Sequence, residues 1–525
     1  MSLLPEKTEH MGSDGTVLKS GNRSSVLARS GYWSNRPVFE KTLLRDTTSY
    51  QSRPKPISEE IWNLITRRSD GLKDLEVLGS ATDVYAVGYE SLIPAYVNPE
   101  IKNTAYRVTI GSKKCKKPYE ASIFNCSALS YGPLSKNFIM AINKAASKGE
   151  FYQNTGEAGI SPYHFGIDLD IEDPDFEIDR FIEDLSEIPI DMLPQIGDIV
   201  WEIGNGYFGC RTKTGEFDPV KFQKIAQLPY VKMIEVKISQ GMAPNKDLPM
   251  PSLTTGFAKI LNVDLDTRVK LSPGHSEFST PKELVEFIDK LRTLSGGKPV
   301  GIKMSLGRKH EFLAICKAMV KLGLPIDFIT LDGMEAGTSG SARGVAGFCG
   351  VALDDAIVYV HNVLSGLNIR EQVKIIASGR VFTEREIILK LARGADICAT
   401  ARGIMVAAGC EQQRDCYKGT CAKGIATQDK TLQNRLDPFL TAERIYSYHE
   451  ITMREVTELL SIAGLTHPSQ LRPHHVYKRI SYTEAVPLDN VYDYIKPGQL
   501  MSKINWRLPK QYRKDWFRAD IHTAF

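Results

Sequence analysis

The stretch KPVGIKMSLGRKHEFLAICKAMVKLGLPIDFITLDG, Lys298 to Gly333, decides how this chain folds. "VGIKM" is short, apolar and partly β-branched, which suits a strand. "HEFLAICKAMVKLG" spaces its apolar residues three and four apart and stops at Gly323, as an amphipathic helix does. "PIDFITLDG" is again a short apolar run. A strand reached through a helix returns parallel to the first, so the unit is strand, crossover and parallel strand.

Working outward, the same alternation recurs on both sides. Upstream stand "ASIFNCSALS" then "SKNFIMAINKAASKG", "DIVWEIG" then "DPVKFQKIAQLP", and "MIEVKIS" with the helical "TPKELVEFIDKLRTLSG". Downstream stand "DDAIVYVHNVLSG" then "KIIASG", and "TEREIILKLARG" then "ADICATA". So many units in series, over roughly 250 to 350 residues, fit a closed (β/α)8 TIM barrel better than an open sheet; a doubly wound sheet is the alternative.

The expected organisation has a flexible tail over 1–35, rich in Ser, Gly, Arg and Lys, and a helical extension over 36–110. The barrel follows over 111–435, and a C-terminal helix with an extended basic-aromatic tail fills 436–525. An insertion at 167–190 holds ten acidic residues against one Arg between Asp168 and Glu187, and its Phe and Ile spacing suggests a surface helix or a partner-binding face.

The 525 residues are 42% hydrophobic and 24% charged, the balance of a globular protein with an ample core. A net charge of +4 argues against nucleic acid as a partner, and the basic run "GSKKCKKP" (Gly111 to Pro118) reads as a solvated turn. No apolar run is long enough to span a membrane and the N-terminus lacks the apolar core of a signal peptide, so the expected setting is the cytoplasm. Nine scattered cysteines do not form a secreted disulfide framework.

Three of those cysteines, Cys410, Cys416 and Cys421, fall within twelve residues after the last strand. A local zinc site is one ligand short, because no histidine lies between His361 and His449. A [3Fe–4S] cluster on three thiolates or three unligated thiols remain. "EIGNGYFG" contains G-x-G-x-x-G at Gly204, Gly206 and Gly209, but turn-like residues follow where a dinucleotide site needs a helix, so it reads as a tight loop. "LDGMEAGTSGSA", "ASGRVFTERE" and "TARG" sit at strand ends; Gly379 with Thr383 at a helix start could cradle a phosphate, or these are ordinary turns. Lys237 and Lys303 interrupt apolar strands and each needs an anion: a flavin edge, a substrate carboxylate, or a salt bridge to a neighbouring strand.

In order, "YRVTIGSKKCKKPYEAS", "SALSYGPLS", "YQNTGEAGISPYH", "GDIVWEIGNGYFGCR", "EVKISQG", "LSPGHSEFSTPKELVEFIDKLRTLSGGKPVGIKM", "LDGMEAGTSG" and "CxxxxxCxxxxCxxGIATQD" follow one another within a span from about Tyr106 to Ser481. This series resembles the FMN-binding domain of glutamate synthases, and most closely the stand-alone glutamate synthase-related proteins. The resemblance implies FMN at the C-terminal face of a barrel and a [3Fe–4S] cluster on Cys410, Cys416 and Cys421. It implies Leu129, Ser130 and Asn154 along the flavin, Lys303 at its pyrimidine edge, and Ser378, Gly379, Arg380, Ala401 and Arg402 around the phosphate. Glu157, Lys237, Gln240 and Glu335 would face the 2-oxo acid, with Glu157, Lys237 and Gln240 catalytic.

The implied reaction is reductive amination of 2-oxoglutarate, or a related 2-oxo acid, through an imine that takes hydride from reduced FMN. An external donor, ferredoxin or an NAD(P)H-dependent reductase, would supply electrons through the cluster. Met1 is followed by Ser2 and the first cysteine is Cys115, so no glutaminase nucleophile is expected and ammonia is free or delivered by a partner. The family's "QGAKPGxGG" reads "QGMAPNKD" here, with Ala243 for the second lysine and Lys246 nearby; "GGTGAAP" has become "AGTSGSAR" and "CPxG" has become "CAKG". Losing a buried, paired cation at a dicarboxylate site costs on the order of 2–5 kcal/mol. Two alternatives follow: an N-methylglutamate synthase-type enzyme using an alkylamine, and a non-catalytic flavoprotein subunit for electron transfer or regulation.

Overall fold

Eight parallel strands close on themselves in the computed structural model, which describes residues 55–72, 82–102, 104–188, 195–238, 253–265, 274–337, 347–501 and 510–525. The strands are β1 (Phe124–Cys126), β2 (Gln153–Asn154), β3 (Ile199–Ile203), β4 (Val231–Lys237), β5 (Val300–Met304), β6 (Phe328–Asp332), β7 (Lys374–Ser378) and β8 (Ile397–Thr400). Each pairs with the next, and β8 returns to β1 through Cys398↔Phe124 and Thr400↔Cys126. The (β/α)8 barrel expected from the alternation is therefore present, and the open doubly wound sheet is excluded.

Local chemistry sets the helices that wrap it. Thr280 caps Pro281–Leu294 in a reciprocal box with Glu283, and Lys309–Leu322 stops at Gly323, whose φ of +65° suits glycine. Phe312, Leu313, Ile315 and Met319 of the second helix are buried, each worth about 1.5–3 kcal/mol against exposure. The strands send apolar side chains out to this layer: Trp201 of β3 stacks on Phe222 of the helix Pro219–Ala226 at 5.4 Å between centroids. Alternation then turns Glu202 of the same strand inward.

At the N-terminal end of the strands a hairpin, Arg107–Ile110 with Tyr119–Ser122, covers the barrel floor. Its turn is the basic run expected as a solvated loop, and it is docked as well. Ser112 N–H donates to Asp327 Oδ1 (2.7 Å), while Lys116 and Lys117 N–H donate to the Gly297 carbonyl at 2.8 and 2.9 Å.

The flanking segments differ from their expected character. In the described part of 36–110, Glu59–Ser69 is helical, but Glu90–Leu92 and Arg107–Ile110 are strands. Glu90–Leu92 pairs antiparallel with Val476–Arg479, which pairs with Ala485–Pro487, so the late tail is partly sheet; Lys510–Arg518 adds a helix. The C-terminal helix runs from Pro438 to Ile462, because Asp437 caps it through Phe439 and Leu440 N–H and Pro438 occupies the first turn. The acidic segment carries the helix Ile178–Glu187, with Ile182 and Leu185 buried. Its charges meet lysines of the same chain: Asp179–Lys221 (2.8 Å), Glu183–Lys224 (2.6 Å) and Asp168–Lys136 (2.7 Å). Residues 56–525 form one compact unit, and no helix among the described residues is long and apolar enough to cross a membrane.

Candidate functional site

Inside the barrel, the strands bring together charges that lie far apart in the sequence. Lys303 of β5 donates to Glu202 Oε2 of β3 at 2.8 Å and lies 3.8 Å from Asp332 Oδ2 of β6. Burial disfavours the Lys303 ammonium, but Glu202 first, then Asp332 and Glu235, outweigh it and raise its pKa. Burial likewise opposes charge on Glu202, and Lys303, followed by Lys237, holds it ionised. Glu235 of β4 behaves in the opposite way. Burial pushes its pKa up to about 8, with Glu202 beside it adding to the rise, so near neutrality its carboxyl is protonated. Asn154 Nδ2 (2.7 Å) and Thr330 Oγ1 also bond it. The salt bridge left open by the sequence for Lys303 is thus the arrangement found.

Above this layer, at the C-terminal mouth, Lys237 Nζ meets Glu157 Oε1 at 2.5 Å. Two of the four residues expected to face the 2-oxo acid are therefore together, as an ion pair. Gly204 makes the approach possible: a Cβ there would lie 2.5 Å from Glu157 Oε2. The G-x-G-x-x-G run is a tight loop, closed by Tyr207 N–H on the Gly204 carbonyl (3.0 Å), and the next helix starts only at Pro219. His275 bonds the Lys237 carbonyl through Nε2 at 2.9 Å. A carbonyl only accepts, so Nε2 carries the proton, and burial keeps the ring neutral by lowering its pKa. Asn154 sits at the end of β2, its Oδ1 accepting from Gly156 N–H (2.9 Å). Leu129 N–H donates to the Asn154 carbonyl (3.2 Å), and Ser130 Oγ fills the place that a side chain on Gly156 would take. Gln240 and the altered loop from Met242 to Asp247 lie outside the described residues.

Glu335 is engaged at a helix start. Its two carboxylate oxygens accept from Leu353 N–H at 3.2 Å, so it caps the helix Leu353–Gly366.

The ends of β7 and β8 form a cationic rim. Ser378 is buried with its Oγ 3.0 Å from Ser127 Oγ; Gly379 follows at φ +127° and Arg380 at φ +51°. Ala401 precedes the helix Arg402–Ala407. Burial, and then the charge of Arg380, lower the pKa of Arg402, so the two guanidinium groups feel one another. Among the described residues, neither side chain has a hydrogen bond or ion pair. Two adjacent guanidiniums lacking an acid fit a phosphate dianion. Thr383 does not add to this cradle: its N–H and hydroxyl are bonded to Glu386 (2.8 and 2.6 Å), which closes that helix start.

The cysteine loop leaves the helix Arg402–Ala407. Cys410, Cys416 and Cys421 are half-buried and unpaired. Burial raises the Cys410 pKa to about 11, with Cys416 and Cys421 adding to it and Arg402 opposing. Cys416 is raised by burial and then by Cys421. The three sulfurs thus share one electrostatic neighbourhood. Among the described residues no three His, Cys, Asp or Glu side chains converge on a single-ion position.

Sequence reasoning missed Glu202, Glu235, Asp332 and His275. The signal for the glutamates was present: "VWEI" and "IEVK" each put a carboxylate inside an apolar strand, as the lysines do.

Residues 89–466 match the family model described as the conserved region in glutamate synthase. Among curated proteins, the chain is 33% identical over 386 residues to the glutamate synthase large subunit-like protein YerD of Bacillus subtilis (strain 168), covering 73% of this chain and 68% of that one. It is 26% identical over 349 residues to the archaeal-type glutamate synthase [NADPH] of Thermotoga neapolitana, covering 66% of this chain and 60% of that protein. A solved structure of the recombinant flavin-binding domain of baker's yeast flavocytochrome b2 aligns with a TM-score of 0.41 at 14% identity, covering 85% of this chain and 87% of that one. Taken with the closed barrel and the ordered motifs at its mouth, the match over residues 89–466 shows that this chain belongs to the glutamate synthase family.

Proposed function

We propose that the chain is a glutamate synthase-like FMN/iron–sulfur oxidoreductase that reductively aminates 2-oxoglutarate, or a related 2-oxo acid, through its imine. The observation that carries the reading is the pair Arg380 and Arg402, two guanidiniums at the ends of β7 and β8 that have no acid partner among the described residues. Ser378, Gly379 and Ala401 complete that cradle for the FMN phosphate, and Leu129, Ser130 and Asn154 line the ring. Lys303, fixed by Glu202 and Asp332, keeps a further N–H for the pyrimidine edge. When bound, FMN supplies hydride and the cluster on Cys410, Cys416 and Cys421 supplies single electrons drawn from ferredoxin or an NAD(P)H-dependent reductase.

The chain's own part is binding and proton placement. A substrate carboxylate takes Lys237 from Glu157, exchanging one ion pair for another at little net electrostatic cost. Glu157, released, then has both oxygens to hold ammonium or accept a proton from the condensing nitrogen. Gln240 joins this group on the strength of the family motif.

Protein purified without air tests the reading. Flavin and iron are quantified, and the dithionite-reduced protein is given 2-oxoglutarate with ammonium or with methylammonium. Glutamate detected by mass spectrometry is the expected product; N-methylglutamate selects the alkylamine alternative. Flavin-free protein that forms neither amino acid defeats the proposal.

A further inference from the structure

The helix Glu59–Ser69 and the residues leading into it lie before the family-matched span 89–466, yet they are built into the cysteine loop. We infer that Ile57–Ser69 is a clamp that fixes the loop Gly409–Cys421, with Trp62 and Gln412 as positioning residues, and so governs access of solvent and soluble redox reagents to the three thiols. The inference rests on the proposed function only in taking those thiols as the redox centre.

Three bonds join clamp and loop. Trp62 Nε1–H donates to the Cys410 carbonyl at 2.8 Å. The Gln412 amide reads both backbone groups of Ile57: its Oε1 accepts from Ile57 N–H (2.9 Å), and its Nε2 donates to the Ile57 carbonyl (3.1 Å). Gln412 also donates its own N–H to Cys410 Sγ (3.5 Å), so the residue gripped by the clamp touches a thiol directly. Within the loop, Gln412 (φ +59°) and Arg414 (φ +64°) both adopt the left-handed backbone that side chains resist. Such a conformation persists where surrounding contacts impose it.

The clamp is itself anchored. Ile57 and Ile65 are buried, and Arg68 is 1% exposed, bonded to Glu384 (2.7 Å) and Thr452 (3.2 Å). Asp70 pairs with Arg444, which also donates to the Ala407 carbonyl (3.1 Å) at the end of the helix entering the loop. Ser58 caps the helix start, and Arg67 and Arg68 lie in its last turn, so it is a well-formed element and not a trailing end. A loop gripped at Cys410 and Gln412 has its thiol-bearing backbone held from outside the barrel.

The test measures access residue by residue. Full-length protein is exposed to N-ethylmaleimide, and labelling of Cys410, Cys416 and Cys421 is followed by mass spectrometry. Molecules that carry iron are followed by iron release to bathophenanthroline. Trp62→Phe keeps an aromatic ring, smaller than indole, and loses one bond; Gln412→Ala loses the Ile57 contacts from the other side; Asn63→Ala, on the exposed face, is the control. Labelling and iron release are expected to rise about two- to tenfold for Trp62→Phe, the ratio that one net hydrogen bond represents, and further for Gln412→Ala, which loses two, with the global unfolding midpoint nearly unchanged. Unchanged rates in both clamp variants overturn the inference, as does wild-type labelling at the rate of urea-unfolded chain. Absence of flavin or of turnover would count against the proposed function and leave this measurement intact.

Discussion

Replacing Lys303 by methionine removes one side of a charge pair that is 5% and 1% exposed, and leaves Glu202 ionised in the barrel interior with Asp332 close by. A surface pair would matter little; breaking a buried pair by deleting one partner costs about 3–5 kcal/mol, because the surviving charge is uncompensated. The same reasoning fixes how the loss depends on pH. Without Lys303, burial raises the Glu202 pKa above its unfolded value, so that contribution to stability is present at low pH and lost as pH rises through the folded value. Lys303→Met should therefore lose about 3–5 kcal/mol near neutrality and distinctly less about two pH units lower. Adding Glu202→Gln should recover part of the loss, since only Asp332, the weaker partner of Lys303, then still lacks its cation. Urea unfolding of the flavin-free full chain, followed by far-ultraviolet dichroism for the single and double variants, measures all three quantities. A single-variant loss under about 1 kcal/mol, or no rescue by Glu202→Gln, would refute the argument.

Glu235 predicts a pH slope of its own. Its raised pKa means the native state keeps a proton that the unfolded chain has released, so stability falls as pH rises from about 4.5 towards about 8, by at most about 1.4 kcal/mol per unit. Glu235→Gln should flatten that part of the unfolding profile. Arg380→Ala removes one of two guanidiniums at the phosphate cradle and should weaken FMN binding about ten- to hundredfold, read by flavin fluorescence; unchanged affinity places the phosphate elsewhere. Gly204→Ala puts a methyl 2.5 Å from Glu157 Oε2 and should displace that carboxylate from Lys237, raising the KM for the oxo acid while the melting temperature moves little.

The barrel was legible because each unit carries its own punctuation: Gly323 and Gly394 end helices in left-handed turns, and Thr280 and Thr383 open them with glutamates three residues on. Such signals are local. The Asp437–Pro438 helix start is equally local, a capping carboxylate followed by proline in the first turn. What the sequence left open depends on distant partners. Nothing near Lys303 says that Glu202, 101 positions earlier, lies beside it, since that contact follows from the register Glu202↔Glu235 and Lys237↔Lys303 around the closed sheet. Thr383 shows the converse hazard, where a helix start that suits an anion already holds Glu386. The cysteines could be picked out by spacing alone, but Trp62 and Gln412 had no motif to mark them.

The small sheet that joins Glu90–Leu92 to Val476–Arg479 has a practical outcome. Its two rungs stand roughly 390 residues apart along the chain, a distance whose loop-closure cost grows only slowly with length but which cannot be spanned until the ribosome has delivered the later strand. A version trimmed to the family-matched span would end at 466 and strand Glu90–Leu92 as a bare peptide edge, inviting chain-to-chain stacking. Glu90 also holds the buried Arg393 and, at 3.3 Å, Lys478, so the trimming would disturb a helix of the barrel wall as well. The solubility of shortened forms is thus set by four residues well past the last barrel strand.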